Sequence, residues 1–350
     1  MRFAVLSATA DREEWDALIA RLPLPLRDVH LTSAYGRIQH TLGGMAIAAV
    51  LEGDHGSFVL QPFVKRVVPY NGYSGFDLVS PYGFGGPVSN VVGAGALRTG
   101  GKAFRLHFRE WCRENIISEF TTVHPLLASH QVHLLQSVNM IWTKEVVVID
   151  LENFSEETVH RRVRRGLKTA RKQWVVAEVG RNPVNYLGFA DLYQRSMQCK
   201  KAAQRWYYGP DYFSAHDDSV GARWFYIDGH RALLTIGVGE NAYAHFLGSD
   251  SEHRHSGLDD LLYFEAAMAL KKSGVKWFHL GGGLTNEAAD SLLAFKSGFS
   301  DLRYMVGNYS VIHDRERYTA LEMLKNDDEV SAYGRRSMQE WFPAYRREFV

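Results

Sequence analysis

The sequence predicts an α/β (α+β) protein built from two similar units in tandem, each with a mixed central sheet flanked by helices. The 350 residues exceed what a single hydrophobic core usually fills. Hydrophobic residues make up 46% of the chain and aromatic residues 13%, which is enough for a large buried core. Segments with strand and helix patterns alternate in both halves. We place the boundary near Phe154, which gives units of residues 1–154 and 155–350.

The predicted elements of the first unit follow from apolar spacing and turn residues. A strand over residues 1–6 precedes a helix that Asp11 can cap, because apolar residues recur at helical spacing after it. Residues 45–51 and 57–68 flank the turn Gly-Asp-His-Gly, which is typical of an antiparallel hairpin. The unit is completed by a predicted helix over 103–116 and strands over 118–123 and 146–150.

The second unit is predicted to begin with a basic amphipathic helix over residues 161–172, after a polar joint at 152–157. Its residues Val163, Leu167 and Ala170 fall on one helical face, and cations occupy the other faces. The remaining predicted elements are strands over 224–227, 232–238, 242–247, 276–280 and 303–312 and helices over 258–272 and 286–296.

Composition excludes several functional classes. Forty Lys and Arg against 39 Asp and Glu leave a net charge of +1, so no global field draws the protein to nucleic acid or to anionic membranes. Cys112 and Cys199 form no Cys-x-x-Cys pair, and no other metal-ligand spacing stands out, so we expect no metal site and a reducing compartment. No apolar run approaches the roughly 18 residues of a membrane span. We therefore expect a cytoplasmic protein.

Three segments carry a family resemblance. The first is Ser-Pro-Tyr-Gly-Phe-Gly-Gly-Pro at 80–87, followed by a strand and His-Pro-Leu-Leu at 124–127. The second is Trp-Phe-His-Leu-Gly-Gly-Gly at 277–283, and the third is Leu-Ala-Phe-Lys-Ser-Gly-Phe at 293–299. In this order, with the basic helix opening the second half, the segments resemble the FemAB-related branch of the GNAT superfamily. The resemblance spans nearly the whole chain.

The resemblance implies two tandem GNAT-like domains and the transfer of an acyl group to an amine. The best-known members take an amino acid from aminoacyl-tRNA and attach it to a peptidoglycan precursor peptide. This chain lacks their long coiled-coil insertion, which argues against a cell-wall substrate. We expect an aminoacyltransferase that uses aminoacyl-tRNA, has a small-molecule or peptide amine as acceptor, and needs no resident cofactor.

The resemblance also assigns Lys296 to the active site, where its ammonium would stabilise the oxyanion of the tetrahedral intermediate. From the residues alone, a lysine between Phe295 and Phe299 could equally direct its ammonium to water. The candidate bases for the attacking amine are His245, Asp250 and His279, although proton transfer assisted by the substrate would need none of them. We choose His245, because an imidazole titrates near neutral pH. Glycine-rich and aromatic loops could line the acceptor pocket. The predicted substrate-binding residues are Tyr82, Phe84, Gly85, Trp206, Tyr207, Gly282 and Phe295.

The basic helix carries seven cations in twelve residues. A solvated surface would explain such a run, and so would contact with several phosphates of a tRNA acceptor stem or a nucleotide-linked substrate. The predicted phosphate-binding and tRNA-binding residues are Arg161, Arg164, Arg165, Lys168, Arg171 and Lys172.

The identity of the donor has an alternative. GNAT enzymes that use coenzyme A bind its pyrophosphate at a Gln/Arg-x-x-Gly-x-Gly/Ala turn before a helix, and residues 254–259 here read Arg-His-Ser-Gly-Leu-Asp. Asp259 and Asp260 would occupy the first helical turn, satisfy its dipole and repel a pyrophosphate. We therefore rank aminoacyl-tRNA first. The alternatives are an acyl-CoA-dependent N-acyltransferase acting on an amino sugar or secondary metabolite, and a catalytically inactive tandem GNAT module that binds RNA or a nucleotide sugar.

Overall fold

The computed structural model describes residues 1–70, 72–227, 229–250, 257–285, 289–333, 335, 337 and 341–348. These residues form two compact α/β units, as the sequence predicts. The first unit comprises Met1–Leu22, His30–Thr143 and Val306–Val350, and the second comprises Pro23–Val29 and Lys144–Met305. The units are therefore not separated by the single boundary near Phe154 that we expected.

The chain returns to the first unit at its C-terminal end, which the expected division into 1–154 and 155–350 did not include. The reason is strand pairing: residues Asn308–Ile312 pair with Ser118–Thr122 of the first unit. A C-terminal helix follows this strand and belongs to the same unit.

The first unit is built on the following elements, in chain order. They are β1 (Arg2–Ser7), α1 (Arg12–Ala20), α2 (Ser33–Ile38), β2 (Met45–Glu52), β3 (Phe58–Val67), β4 (Phe76–Val79), β5 (Val88–Ser89), α3 (Ala94–Asn115), β6 (Ile116–Thr122) and α4 (Ala128–Leu134). Strand β7 (Met140–Asp150) then passes from the first unit into the second.

The second unit continues with a helix-rich segment and then a sheet. Its elements are α5 (Arg161–Ala170), β8 (Ala177–Val179), α6 (Pro183–Cys199), α7 (Pro210–Ser214), β9 (Arg223–Ile227), β10 (Arg231–Val238), β11 (Asn241–Ser249), α8 (Leu258–Lys272), β12 (Trp277–Gly281) and α9 (Ser291–Ser297). The chain ends with β13 (Arg303–Ile312) and α10 (Arg315–Tyr333).

The two units repeat one order of strand pairing. In the first, β1 to β4 pair antiparallel in turn, β4 pairs parallel with β6, and β6 pairs antiparallel with β13. In the second, β8 to β11 pair antiparallel in turn, β11 pairs parallel with β12, and β12 pairs antiparallel with β7. A long helix connects each parallel pair, α3 in the first unit and α8 in the second.

Each unit buries its own apolar core. In the first, Phe63, Phe104 and Phe108 stack with ring centroids 5.2 and 5.6 Å apart. In the second, α5 and α8 bury residues such as Leu167 and Leu262 against the sheet. The apolar face predicted for the basic helix is confirmed, because Val163, Leu167 and Ala170 are buried. In the described part of the chain, no helix is both long and apolar enough to cross a bilayer.

Some predicted boundaries differ from the structure. Helix α3 begins nine residues before the predicted position 103, because we interpreted Gly101 as lying at the start of the helix and not within it. A Cβ at Gly101 would lie 2.3 Å from the carbonyl oxygen of Leu134, so close packing against α4 explains that glycine. Helix α9 begins at Ser291 and not at 286, and residues 286–288 lie outside the described part. We did not predict α2, α6 or α10.

Candidate active site

A basic cavity of about 550 Å³ lies beside α5 and the start of α8 in the second unit. Five residues of α5, three at the start of α8 and one aromatic residue of α9 line it. They are Arg161, Arg162, Arg165, Gly166 and Thr169, then Gly257, Asp259 and Asp260, and finally Phe295. The cavity therefore combines two of the predicted phosphate-binding arginines with the neighbour of Lys296.

Two glycines bring α5 and α8 together at the cavity wall. A Cβ at Gly166 would lie 2.1 Å from a carboxylate oxygen of Asp260. Gly257 has a φ of +88°, and a Cβ there would lie 2.3 Å from the carbonyl oxygen of Gly166. A glycine inside a helix costs roughly 0.5–1 kcal/mol relative to alanine. The close approach of the two helices is the physical reason for Gly166 in α5.

Both carboxylates in the first turn of α8 are held in ion pairs. Arg162 donates to Asp260 at 3.0 Å and also to the carbonyl oxygen of Phe295 at 3.0 Å. Arg231 donates to Asp259 at 2.8 Å. Burial raises the pKa of Asp260, and the charge of Arg162 opposes that shift. The repulsion that we expected Asp259 and Asp260 to exert on a pyrophosphate is thus largely compensated by arginines.

The cations of the basic helix divide into two groups. Arg164 donates to the carbonyl oxygens of residues 157 and 159 at 3.0 and 2.7 Å, and Arg171 donates to two glutamates at 2.6 and 3.1 Å. In contrast, four exposed cations have no ion pair or side-chain hydrogen bond within the described residues. These four are Arg161, Arg165, Lys168 and Lys172.

The four unpaired cations follow one another along α5. Arg161, Arg165 and Lys168 recur at positions i, i+4 and i+7 on one face, and Lys172 lies in the turn after the helix. We call them the α5 stripe. Arg161 and Arg165 line the cavity, whereas Lys168 and Lys172 lie further along the stripe. The stripe is therefore a run of uncompensated positive charge that begins in the cavity and continues beyond it.

Lys296 is buried, with only 7% of the residue exposed. Its Nζ donates to the carbonyl oxygen of Gly282 at 2.7 Å, so the ammonium is held on the loop after β12 and does not extend to water. Burial lowers the pKa of Lys296 to about 8, with a further decrease from the charge of Lys144 and an opposing effect of Asp290. A lysine in these surroundings retains its proton at neutral pH, at a cost in desolvation.

Each glycine of the predicted Gly-Gly-Gly turn occupies a position where a side chain would meet a different neighbouring group. Gly281 has a φ of +83°, and a Cβ there would lie 3.1 Å from Nζ of Lys296. A Cβ at Gly282 would lie 2.7 Å from the carbonyl oxygen of Glu145. A Cβ at Gly283 would lie 2.5 Å from the carboxylate of Asp290. The turn therefore needs glycine three times, at three different contacts.

Asp290 connects this turn to α9. Its Oδ1 accepts the backbone N–H of Leu293, which caps the helix, and its Oδ2 accepts the N–H groups of Leu284 and Thr285, all at 2.8 Å. These backbone hydrogen bonds lower the pKa of Asp290 to about 2. One carboxylate thus orients both the loop that carries Gly282 and the helix that carries Lys296.

His245 lies on β11 among aromatic side chains. Its ring centroid is 5.1 Å from that of His216, whose Nδ1 lies 2.9 Å from the carbonyl oxygen of Tyr212. Burial lowers the pKa of His216 to about 4, so this second imidazole is neutral at pH 7. The role of His245 as a base stays a prediction.

Trp206 and Tyr207 lie close to the same aromatic cluster along the chain. The carbonyl oxygen of Trp206 accepts the hydroxyl of Tyr193 at 2.9 Å. The next aromatic residue, Tyr208, stacks on Tyr212 at 4.2 Å and contacts Phe246, which follows His245. Trp206 and Tyr207 themselves are half-buried, so each has part of its surface available.

Tyr82, Phe84 and Gly85 belong to the first unit and are held there by their neighbours. The carbonyl oxygen of Tyr82 accepts the hydroxyl of Tyr35 at 2.5 Å, and burial raises the pKa of Tyr82 to about 12. Phe84 is buried, and Gly85 donates to the carbonyl oxygen of Thr122 at 2.8 Å. Their role in substrate binding stays a prediction.

Several residues of the site escaped the sequence analysis. Gly166 gave a usable signal, because a glycine within an amphipathic helix indicates a close approach. Asp290 gave another, since an aspartate before Ser-Leu-Leu is a typical N-cap. Nothing in the sequence indicated that Lys144 lies close to Lys296. Residues 254–256 of the expected coenzyme A turn lie outside the described residues.

Comparisons with known proteins show the fold. No family model matches the chain, and no curated protein matches it. Among solved structures, FemX is similar at 13% identity and a TM-score of 0.68, over 91% of this chain and 99% of that one. L-PGS from Bacillus licheniformis is similar at 12% identity and a TM-score of 0.55, over 87% and 93% of the two chains.

A tandem GNAT protein from the clavulanic acid biosynthesis pathway is also similar, at 14% identity and a TM-score of 0.52, over 89% of this chain and 98% of that one. The fold implied by the resemblance to the FemAB-related branch of the GNAT superfamily is thus confirmed.

Proposed function

We propose that this chain is a FemAB-like acyltransferase that moves an aminoacyl group from aminoacyl-tRNA to the amine of a small-molecule or peptide acceptor. The observation that carries the proposal is the buried Lys296, whose ammonium lies on the Gly282 carbonyl oxygen, next along α9 to the cavity residue Phe295. Within the described residues this ammonium has no carboxylate partner, so its charge is available to a reacting group.

Lys296 fits the chemistry of acyl transfer. An ammonium has three N–H donors, and Gly282 uses one of them. When an amine attacks the ester carbonyl, negative charge develops on the carbonyl oxygen and exists only near the transition state. A fixed donor in a dry site stabilises such charge, and the loss of one oxyanion donor costs roughly 3–4 kcal/mol in mutational series.

The transfer itself is an aminolysis. The amine nitrogen forms a bond to the ester carbonyl carbon, the bond from that carbon to the ribose oxygen breaks, and the leaving oxygen takes up a proton. His245 is the candidate base for a proton of the amine. Lys296 would hold the carbonyl oxygen through the intermediate.

The α5 stripe favours an RNA donor. From Arg161 to Lys168 it runs about 10 Å, at 1.5 Å per residue, and Lys172 follows in the turn after the helix. A pyrophosphate in the cavity would use Arg161 and Arg165 and would leave Lys168 and Lys172 without a role. A phosphate backbone carries repeated charges and can contact the whole stripe.

A second candidate, an acyl-CoA-dependent N-acyltransferase, is favoured by the charge pairs of α8. Arg231 and Arg162 compensate Asp259 and Asp260. Helix α8 has Gly257 as its N-cap, and no side chain of the described residues caps the helix. Its first turn therefore lies at the wall of a cavity with two unpaired arginines, which is a suitable environment for a pyrophosphate.

The deciding experiment compares both donors on one set of variants. Labelled aminoacyl-tRNA and labelled acetyl-CoA are offered with a host metabolite extract, and RNase-sensitive transfer is measured. The variants are Arg161→Gln/Arg165→Gln in the cavity and Lys168→Gln/Lys172→Gln further along the stripe. Lys201→Gln/Lys272→Gln is the matched control, since it removes two exposed cations outside α5.

For an RNA donor, both stripe variants should weaken donor binding, and the salt dependence should fall for each, because each removes phosphate contacts. For coenzyme A, only the cavity variant should have an effect. Absence of product with both donors would overturn the proposal and leave the inactive binding module.

A further inference from the structure

A second polar cavity, of about 290 Å³, lies in the second unit at the end of α6 and the ends of β10 and β11. Its wall is formed by Ser196, Cys199, Lys200, Arg231, Ser249, Asp250 and Asp259. Pockets for drug-sized ligands span roughly 300–1,000 Å³, so this cavity suits a small metabolite better than a peptide or a sugar chain.

The wall of this cavity is held in place by hydrogen bonds. The Arg231 guanidinium is 8% exposed and donates to Asp259 at 2.8 Å and to the carbonyl oxygens of His230 and Asp250, both at 2.8 Å. The hydroxyls of Ser196 and Ser249 lie 3.0 Å apart. These contacts fix the positions of the polar groups before a ligand arrives.

The charges of the described lining residues balance. Lys200 and Arg231 contribute two positive charges, and Asp250 and Asp259 contribute two negative ones. Desolvation lowers the pKa of Lys200, while the negative charge of Asp259 raises it. The two groups therefore interact electrostatically. They are not within ion-pair distance, and Lys200 has no partner among the described residues. An exposed ammonium with no ion-pair partner among the described residues and a half-exposed carboxylate thus line one small cavity.

Asp259 also lines the basic cavity beside α5. The two cavities therefore share one residue, the first carboxylate of α8. A ligand amine beside Asp259 would therefore lie at the edge of the larger cavity, in which we place the donor.

We propose that the smaller cavity is the acceptor site and takes a small α-amino acid or a close analogue, with its carboxylate on Lys200 and its amine beside Asp259. The proposal rests on the proposed acyl transfer and names its acceptor class. A zwitterion complements both charged ends of the described wall, whereas a simple amine would contact Asp259 alone and would leave Lys200 without a role.

The amine enters as an ammonium, which explains a carboxylate beside it. One proton goes to solvent before attack. The nitrogen then bonds to the acyl carbon of the donor, the ester bond to the ribose oxygen breaks, and that oxygen receives the second proton. The product is an N-acylated amino acid, and its amine no longer carries a charge that Asp259 can bind.

Binding is tested on the full chain without a donor, by saturation-transfer NMR with common α-amino acids, the matching amino acid amides and the N-acetyl amino acids. We expect at least one amino acid to bind about tenfold or more tightly than its amide and its N-acetyl form. Lys200→Gln should remove the preference for the carboxylate over the amide. Lys201→Gln, an exposed neighbour that does not line the cavity, should retain it.

Two results would overturn the acceptor assignment: equal binding of amino acids and amides to the wild type, or an unchanged preference in Lys200→Gln. Because this measurement needs no donor, it is independent of the transfer assay. A chain that transfers acyl groups but shows no carboxylate preference would refute only the acceptor class. A chain that binds amino acids but transfers nothing from either donor would refute the proposed function.

Discussion

The two units each bury charged side chains, but with different partners. The first unit pairs its buried charges with one another, whereas the second unit holds the ammonium of Lys296 on a carbonyl oxygen. In the first unit, Glu119 is fully buried and accepts two hydrogen bonds from Arg105, at 2.9 and 3.0 Å, and one from Tyr309 at 2.8 Å. His313 lies 3.1 Å from its other oxygen. Each charge in this cluster has an opposite charge in contact.

In the second unit, Lys296 is almost as deeply buried but has a carbonyl oxygen as its partner. The nearby charge of Lys144 adds repulsion. Arg161 and Arg165 are likewise without counter-charges in the described part of the chain.

The pKa values express this difference. Burial alone would raise the pKa of Glu119, but Arg105 and His313 outweigh it and hold that pKa at about 2. Among the described residues only the charge of Asp290 acts in this way on Lys296, and it does not outweigh burial, so the pKa of Lys296 falls to about 8. A compensated cluster adds specificity to a core, whereas an uncompensated buried charge costs stability and is retained where a ligand supplies the counter-charge. This difference supports a structural role for the first cluster and the catalytic role that we propose for Lys296.

The largest effect should come from breaking the compensated cluster. Glu119→Gln leaves the Arg105 charge buried without its carboxylate, and removal of one partner of a buried pair costs roughly 3–5 kcal/mol. We expect a loss of this size in the free energy of unfolding, measured by urea denaturation, with kcat per folded molecule unchanged. A lowered kcat at unchanged stability would show that the first cluster takes part in the reaction.

The second prediction concerns the uncompensated lysine. Lys296→Met keeps the apolar stem and removes the charge, so kcat should fall roughly 10²–10³-fold with little change in KM. Steady-state kinetics on a variant of unchanged Tm would measure this. An unaltered kcat would contradict an oxyanion role, and a raised KM alone would indicate a substrate-binding lysine.

The third prediction uses pH to separate stability from function. The folded pKa of Lys296 is about 8 and its ordinary value is 10.5, so the unfolded chain binds more protons between these values. The wild type should therefore gain stability relative to Lys296→Met as pH rises from about 8 to 10.5, by up to about 3 kcal/mol.

Activity should change in the opposite sense, since kcat should fall as pH rises through about 8 and the ammonium is lost. Thermal unfolding and kcat measured over the same pH range give both curves. Deprotonation of the acceptor amine raises kcat in the wild type and in Lys296→Met alike, so the ratio of their kcat values is followed with pH. A ratio that rises through pH 8 would contradict an oxyanion role.

The smallest effect concerns Asp290, whose negative charge opposes the lowering of the Lys296 pKa. Asp290→Asn should move the alkaline limb of the kcat profile to lower pH, by a fraction of a pH unit. Asp301→Asn, at an exposed carboxylate of the same unit, is the matched control. If Asp290 acts only as a helix cap, the variant should lose stability while the limb stays in place.

Local patterns predicted much of the fold. Helix α8 spans the predicted residues 258–272 and β13 the predicted residues 303–312. The hairpin of β2 and β3 also forms, because a tight turn and two apolar strands are encoded within about twenty residues. In contrast, α3 begins earlier than predicted, and the glycine at 101 inside it is explained by contact with α4 and not by local preference.

The predicted basic helix shows the limit of such patterns. Its amphipathic spacing identified the buried face and the seven cations. Which cations are paired could not be predicted, because Asp260 and Glu265 lie 98 and 94 residues away from the arginines they hold. The distinction between structural cations and the α5 stripe exists only in the folded chain.

The sequence by itself determined the repeated α/β elements, the apolar faces and the presence of a lysine after an apolar helical stretch. These are properties of residues close together in the chain, where periodicity and turn chemistry act. The tertiary structure decided the burial of Lys296, the carbonyl oxygen of Gly282 as its partner and the approach of Lys144. Electrostatic energies depend on distance and desolvation in space, and separation along the chain does not determine either of them.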